Sequence, residues 1–328
     1  MLKIAILDDY ANMALSFGDW SFVKATTEVI AFHEHLEGQA AIAALCDFNV
    51  ICTLRERTYL SREILGCLPK LKAVIAAAPN DFTIDREAAA AFGIEVLEAQ
   101  APRHLSFAID STTEFIWGLI IATVRQIPQH AAQLRRGHWQ HHAGMSLAGK
   151  TLGVVGLGRF GTRIARIAQM FNLSVIAWSE NLGDDAAAAA GAERVSKEQL
   201  FRRSDIVSIH YALSDRSRGL VGSAELGLMK PTAYIINTSR GPIIDETALV
   251  AALQERRIAG AGLDVFDNEP LPENHPFLKF DNVVATPHIG FVTESALEYF
   301  YTSIAETVTK YMKREDNFDN SLMTKPDI

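Results

Sequence analysis

Cysteine is scarce in this chain. Of 328 residues only Cys46, Cys52 and Cys67 carry a thiol, an odd number with no C-x-x-C pair, so neither a disulfide framework nor a zinc ribbon is expected and the implied compartment is reducing and cytoplasmic. Long apolar runs are missing as well. The longest, Phe115–Val124, is too short to cross a bilayer, and the start, MLKIAILDDY, reads as a strand and a turn rather than a signal peptide. Positive charge is in deficit: 31 Lys and Arg against 39 Asp and Glu give a net charge of −8. The long-range field repels phosphate backbones and anionic lipid, so neither nucleic acid nor membrane is expected as a partner. No segment recurs at a period of about 20–50 residues, which excludes a solenoid.

What is present is a globular α/β chain. With 48% hydrophobic residues and a length near twice a typical domain of about 150 residues, two domains are expected. Short β-branched runs at Lys3–Leu7, Val29–Phe32, Asn49–Thr53, Lys72–Ala76 and Ile94–Leu97 alternate with helical stretches, the pattern of a doubly wound parallel sheet. A second series at Thr151–Val155, Ser174–Trp178, Ile206–His210, Ala233–Asn237, Gly260–Val265 and Asn282–Thr286 predicts a second such sheet. Ser111–Gln126 and Pro128–Gly137 read as helices joining the two, Ala186–Ala190 as a short helix, and Glu294–Lys313 as a last helix before a polar tail with little to hold it.

Directly after Thr151–Val155, Gly156, Gly158 and Gly161 stand in G-x-G-x-x-G spacing and a helix is expected to open at Gly161. Strand before and helix after make this a dinucleotide turn, with glycines for the tight bend, the close approach of pyrophosphate, and helix-on-strand packing. At the end of the next strand, Trp178-Ser179-Glu180-Asn181 places the expected ribose-binding carboxylate one position late. Ser179 can hydrogen-bond a ribose, and Glu180 repels a 2′-phosphate with no Arg beside it, so NAD is favoured over NADP.

The stretches Gly137-His138-Trp139, Leu147–Gly153 into the glycine turn, Asn237-Thr238-Ser239-Arg240-Gly241, Gly262-Leu263-Asp264-Val265-Phe266, Glu269-Pro270 and Pro287-His288-Ile289-Gly290 follow one another in order. Together they resemble the D-isomer-specific 2-hydroxyacid dehydrogenases, closely from about Trp139 to Gly290 and more loosely before. The resemblance implies a flavodoxin-like substrate domain of residues 1–100 and 291–328, with a Rossmann cofactor domain of residues 101–290 inserted in it, and an active site in the cleft. It further implies Arg240, Glu269 and His288 as the catalytic set. Gly156, Gly158, Arg159, Phe160 and Gly161 would hold the pyrophosphate, and Ser179, His210, Thr238, Asp264 and Thr112 the rest of the NAD. Arg55, Ala78 and Arg240 would bind substrate. A homodimer through the cofactor domain is the family habit, and no regulatory module is expected after the last helix.

The chemistry of those residue types agrees. Reducing a 2-oxo acid to a 2-hydroxy acid needs a cation for the carboxylate, a polariser for the ketone and a proton donor. A planar, always charged Arg240 serves the first two, and a His288 whose ring is oriented by Glu269 serves the third. Singly each has an ordinary turn or cap role; together, in this order, they point to catalysis. His138, His141 and His142 lack acidic or Cys partners in sequence and read as a solvated loop, with no metal expected. His33 and His35 read as surface residues. Two departures stand out: Ala76-Ala77-Ala78-Pro79-Asn80-Asp81 where the family has a glycine loop for the substrate carboxylate, and Tyr211 where a proline is common. Two other functions fit parts of the sequence, an NAD(H)-sensing binding protein and a sister activity such as phosphite oxidation.

Overall fold

The computed structural model describes residues 2–78, 81–99, 106–140 and 142–323. They form two compact units, Met1–Leu105 with Val292–Ile328, and Ser106–Phe291.

In the first unit β1 (Leu2–Ile6), β2 (Thr27–Ala31), β3 (Val50–Thr53), β4 (Ala73–Ala76) and β5 (Glu95–Glu98) make one parallel sheet in the order β2-β1-β3-β4-β5, the flavodoxin-like order with its switch point between β1 and β3. Strands covered on both faces need apolar residues at every position. Accordingly all of β3 and β4 is buried. The chain returns to this unit in the helix Glu294–Met323. Tyr301 Oη–H donates to the buried Asp9 carboxylate (3.1 Å), and Arg314 pairs with Glu95. From Arg314 to Met323 the chain continues the helix, and a bidentate pair ties Arg314 to β5, which the expected loose start of the tail does not have.

In the second unit the strands are β6 (Thr151–Val155), β7 (Ser174–Trp178), β8 (Glu193–Arg194), β9 (Ile206–Ile209), β10 (Tyr234–Asn237), β11 (Gly260–Leu263) and β12 (Val283–Ala285). All pair in parallel in the order β12-β11-β10-β9-β6-β7-β8. That is the dinucleotide-binding strand order, with its reversal between β6 and β9. Side chains alternate between faces. Leu152, Val154, Val175, Ala177, Ile206, Tyr234 and Ile236 join one core with Ile116, Ile120 and Ile164, while Val155, Ile176, Val207, Ile209, Ile235 and Leu263 join the other with Leu200, Leu249 and Leu253. Each such aliphatic side chain contributes about 1.5–3 kcal/mol on burial.

Helix limits differ from those expected. The first linking helix spans Ser106–Val124 and the second Ile127–Arg135. The helix after the glycine turn opens at Arg159, with Gly158 as its cap, two residues before Gly161. The edge strand β8 carries no apolar signal, both residues being exposed.

Candidate active site

Parallel strands deliver every following loop to one edge of a sheet, and in open α/β sheets ligands bind at that carboxyl edge near the strand-order reversal. The second unit assembles its polar residues there. After β6, Gly156 takes φ 95° and donates its N–H to Trp178 O (2.8 Å). A Cβ on Gly161 would lie 2.1 Å from Gly156 O, so only glycine allows the helix Arg159–Met170 to start so close to the strand. Gly158 differs: among the described residues, nothing beyond its own chain neighbours lies within 4 Å of a Cβ built on it. Packing does not explain its missing side chain, whereas a ligand lying on the backbone would. Arg159 is exposed and Phe160 half-buried. The first amides of a helix have no intrahelical acceptor and favour negative charge. This cradle fits a pyrophosphate.

Ser179, after β7, accepts the Leu157 N–H (2.9 Å) and thereby ties the turn to the next strand. Glu180 beside it is exposed. After β9, His210 donates its backbone N–H to Val155 O (2.7 Å), and its Nε2 lies 2.9 Å from Ser208 Oγ. Burial of the ring pushes its pKa down to about 4, so the imidazole is neutral at pH 7. Tyr211, at the position where a proline is common, stacks on Trp178 at 6.1 Å and accepts from Ser239 Oγ–H.

Arg240 follows β10 in a loop closed from both sides by the buried Asn237. Its Oδ1 accepts Ser239 N–H (3.1 Å) and its Nδ2 donates to Arg240 O (2.9 Å). The Arg240 guanidinium donates to Ser239 O (2.6 Å), and Thr238 is half-buried beside it. A Cβ on Gly241 would lie 2.0 Å from the Phe266 carbonyl carbon, so this glycine lets the Arg240 loop press against the loop after β11. That loop carries Glu269, whose Oε1 accepts Phe266 N–H (2.9 Å) and whose Oε2 accepts from His288 Nδ1–H at 2.5 Å. His288, after β12, therefore has Nε2 as the ring nitrogen that the carboxylate does not engage. Phe291 packs edge-on against the ring at 6.1 Å.

His288 sits at φ 51°, a left-handed conformation that a residue with a Cβ adopts only when its surroundings impose it. Asp264 imposes it. The carboxylate is buried and accepts Thr286 Oγ1–H (2.7 Å), Ile289 N–H (2.9 Å) and Gly290 N–H (2.9 Å), gripping the segment on either side of the histidine. Burial raises its pKa, against the lowering effects of those bonds and of His288.

Thr112 is half-buried in Ser106–Val124, the helix packed on β10, β11 and β12. Arg55 and Ala78 belong to the first unit. Arg55 takes φ 45° just after β3 with its guanidinium over the Phe300 ring (5.7 Å), and Ala78 follows β4, half-buried. Pro79, Asn80 and His141 lie outside the described residues. No group of three or more His, Cys, Asp or Glu suited to a metal occurs among the described residues, and none of the described helices is long and apolar enough to cross a membrane. His35 is not a plain surface residue: its side chain is 15% exposed and its Nδ1 stands 3.5 Å from Asp8.

Sequence reasoning missed Asn237 and the need for Gly241. Asn237 left one signal, a polar residue closing an otherwise apolar buried strand.

The family model for the NAD binding domain of the D-isomer specific 2-hydroxyacid dehydrogenases matches residues 117–290. The chain is 37% identical over 268 residues to D-3-phosphoglycerate dehydrogenase of Methanocaldococcus jannaschii, covering 81% of this chain and 50% of that one. It is 41% identical over 240 residues to glyoxylate reductase of Aeropyrum pernix, covering 70% of each. The chain thus spans about half the length of the phosphoglycerate relative and 70% of the glyoxylate relative. Among solved structures it is similar to a phosphoglycerate oxidoreductase from Vibrio cholerae O395, with a TM-score of 0.87, 32% identity, and coverage of 96% of this chain and 100% of that one. With the dinucleotide strand order, the glycine cradle and a family match over its second unit, the chain belongs to the D-isomer specific 2-hydroxyacid dehydrogenases, NAD-dependent oxidoreductases of small hydroxy and oxo acids.

Proposed function

We propose that this protein interconverts a small 2-oxo acid and its D-2-hydroxy acid, with His288 as the general acid and base. The observation that carries this is the 2.5 Å contact between His288 Nδ1 and Glu269, formed on a loop that Gly241 brings against the Arg240 loop. NADH bound on the glycine cradle supplies the hydride. Gly156, Gly158, Arg159, Phe160 and Gly161 hold its pyrophosphate, and Ser179, His210, Thr238, Asp264 and Thr112 are assigned to the remainder. Arg240 pairs with the acid's carboxylate and polarises the ketone; a planar guanidinium does both through parallel N–H donors. His288 delivers the proton from Nε2 to the developing alkoxide, and Glu269 keeps the ring turned for that transfer. Arg55 and Ala78 are assigned to substrate binding, with Pro79 of the adjoining loop unable to donate a backbone hydrogen bond.

Glyoxylate is the first substrate to test, because relatives from Aeropyrum pernix and Thermococcus litoralis are glyoxylate reductases. Reduction is followed at the nicotinamide absorbance band across a series of 2-oxo acids. His288→Ala should abolish most turnover while NADH affinity, measured by calorimetry, stays within about twofold, since the loss falls on the transition state. Unchanged turnover in that variant on any accepted substrate would overturn the assignment. Arg240→Lys should raise KM and lower kcat together.

A homodimer formed through the second unit is part of the same proposal. Ile127 (50%), Leu134 (57%) and Trp139 (77%) expose large apolar side chains on and beside its second helix, and these are the side chains assigned to the contact. A monomer mass by light scattering at micromolar concentration would refute it. A cytoplasmic location completes the proposal, in keeping with NAD-linked chemistry and few cysteines.

A further inference from the structure

The loop that carries Glu269 is pinned at both ends by one residue that takes no part in the proposed chemistry. Glu246 opens the helix Glu246–Gln254, behind the Asp245 cap. Its Oε2 accepts the Asp267 N–H (3.4 Å), two residues before Glu269, and its Oε1 accepts from His275 Nε2–H (3.1 Å) at the far end of the loop. His275 is fixed in turn. Its Nδ1 accepts the Phe277 N–H (3.3 Å), its backbone N–H donates to Pro272 O (2.9 Å), and its ring packs on Phe277 at 4.7 Å. An Nδ1 that accepts leaves the proton on Nε2, the tautomer that Glu246 requires. The His275 and Glu246 side chains are only 14% and 24% exposed, so water competes weakly for the bond between them.

We propose that Glu246 and His275 form a latch that positions Glu269 against His288. They are positioning residues that act through Glu269, and the inference rests on the roles proposed above for Glu269 and His288. Glu269 reaches His288 from a loop that its other carboxylate oxygen braces through the Phe266 N–H bond. Without the latch, the segment from Asp267 to His275 loses both of its bonds to the helix Glu246–Gln254, and a displacement of about 1 Å is enough to cost a catalytic hydrogen bond about 100-fold in rate.

The test uses a signal that does not depend on knowing the substrate. A short imidazole N–H to carboxylate bond gives a strongly deshielded proton in the NMR spectrum, assigned to His288 by its disappearance in Glu269→Gln and His288→Ala. If those two variants remove no such resonance, the site reading itself fails. Given the assignment, Glu246→Ala should move the resonance upfield or broaden it while the methyl region stays native. A resonance unchanged in position and intensity would overturn the latch. His275 gives a second arm that survives any folding defect of Glu246→Ala: His275→Gln keeps a donor for Glu246 and should hold the resonance near its native position, whereas His275→Leu should shift it. Equal behaviour of these two variants would also overturn the proposal. With glyoxylate and NADH, Glu246→Ala should lower kcat about tenfold in the native background and less than about twofold in Glu269→Gln, the non-additivity expected of groups acting as one unit.

Discussion

Asp264→Asn separates what this buried carboxylate does for one loop from what it does for the fold. Its two oxygens take three donors from Thr286, Ile289 and Gly290. An amide offers one acceptor oxygen. If that oxygen keeps Thr286 and Ile289, the NH2 group meets the Gly290 N–H donor to donor, and one charge-assisted bond worth roughly 1.5–3 kcal/mol is lost. Burial acts in the opposite sense, because it raises the Asp264 pKa in spite of its hydrogen bonds, and a neutral amide escapes that desolvation cost. The two effects largely offset each other in the folding balance, so Tm should move by less than about 4 °C, the equivalent of about 1 kcal/mol at this size. They do not offset each other in turnover. Loosened around φ 51°, His288 loses its aim, and roughly 1.5–3 kcal/mol of positioning corresponds to a fall in kcat of about 10- to 150-fold. The pH dependence supplies a control on sign. A carboxyl whose folded pKa lies above its unfolded value of about 3.9 binds more protons when folded, so the wild type loses stability relative to Asp264→Asn as pH rises through that window. Thermal melts from pH 3.5 to 7 and steady-state NADH oxidation read both quantities. A large drop in Tm with unchanged kcat would refute the reasoning.

Three other expectations follow from the same geometry. Gly161→Ala places a methyl 2.1 Å from Gly156 O, and because backbone cannot step aside the turn must shift; NADH affinity by calorimetry should fall at least about fivefold, in line with overpacking costs of about 1–3 kcal/mol, and native affinity would contradict the close approach. Wild-type kcat/KM should favour NADH over NADPH, and Glu180→Gln should narrow that preference by about fivefold, the worth of an exposed charge repulsion of about 1 kcal/mol; a wild type that prefers NADPH would refute this. His35 should titrate above the ordinary histidine value, held up first by the Asp8 carboxylate 3.5 Å from its Nδ1. With its folded pKa raised, the stability it contributes is full below about 6.5 and fades as pH rises through the folded value; a His35 NMR titration that Asp8→Asn leaves unmoved would show that Asp8 is not the cause.

Much of this architecture is legible in the residues themselves. β6 and β7 match their expected limits because β-branched runs are bracketed by Gly149 and the glycine turn on one side and Trp178-Ser179 on the other. β8 is not legible: two exposed polar residues pair by backbone alone, and a hydrophobic pattern carries no trace of that. Arg240, Glu269 and His288 stand out through motif order, yet the devices that aim them do not. Asp264 draws its donors from the loop beyond the neighbouring strand, and Gly241 meets Phe266 across the sheet edge; neither spacing along the chain nor residue type specifies which segments will touch. The start of the helix at Arg159 escapes for a smaller reason. Glycine spacing marks where the backbone must bend and where it must be bare, and the cap at Gly158 depends on backbone angles that glycine leaves open.

The split of the first unit across the chain sets an order of synthesis. Its sheet is complete once β5 has been made, but the helix that covers Asp9 with Tyr301, and buries Ile304 and Val308, is translated only after all of Ser106–Phe291. At about 5–20 residues per second that interval lasts roughly 10–40 s. During it the continuous second unit can close while the N-terminal sheet waits on the ribosome with an apolar face open to solvent. Ribosome stalling late in the message should therefore appear as aggregation that begins in the N-terminal sheet, with the dinucleotide cradle already formed, and chaperones that bind nascent chains should find their site on the first hundred residues.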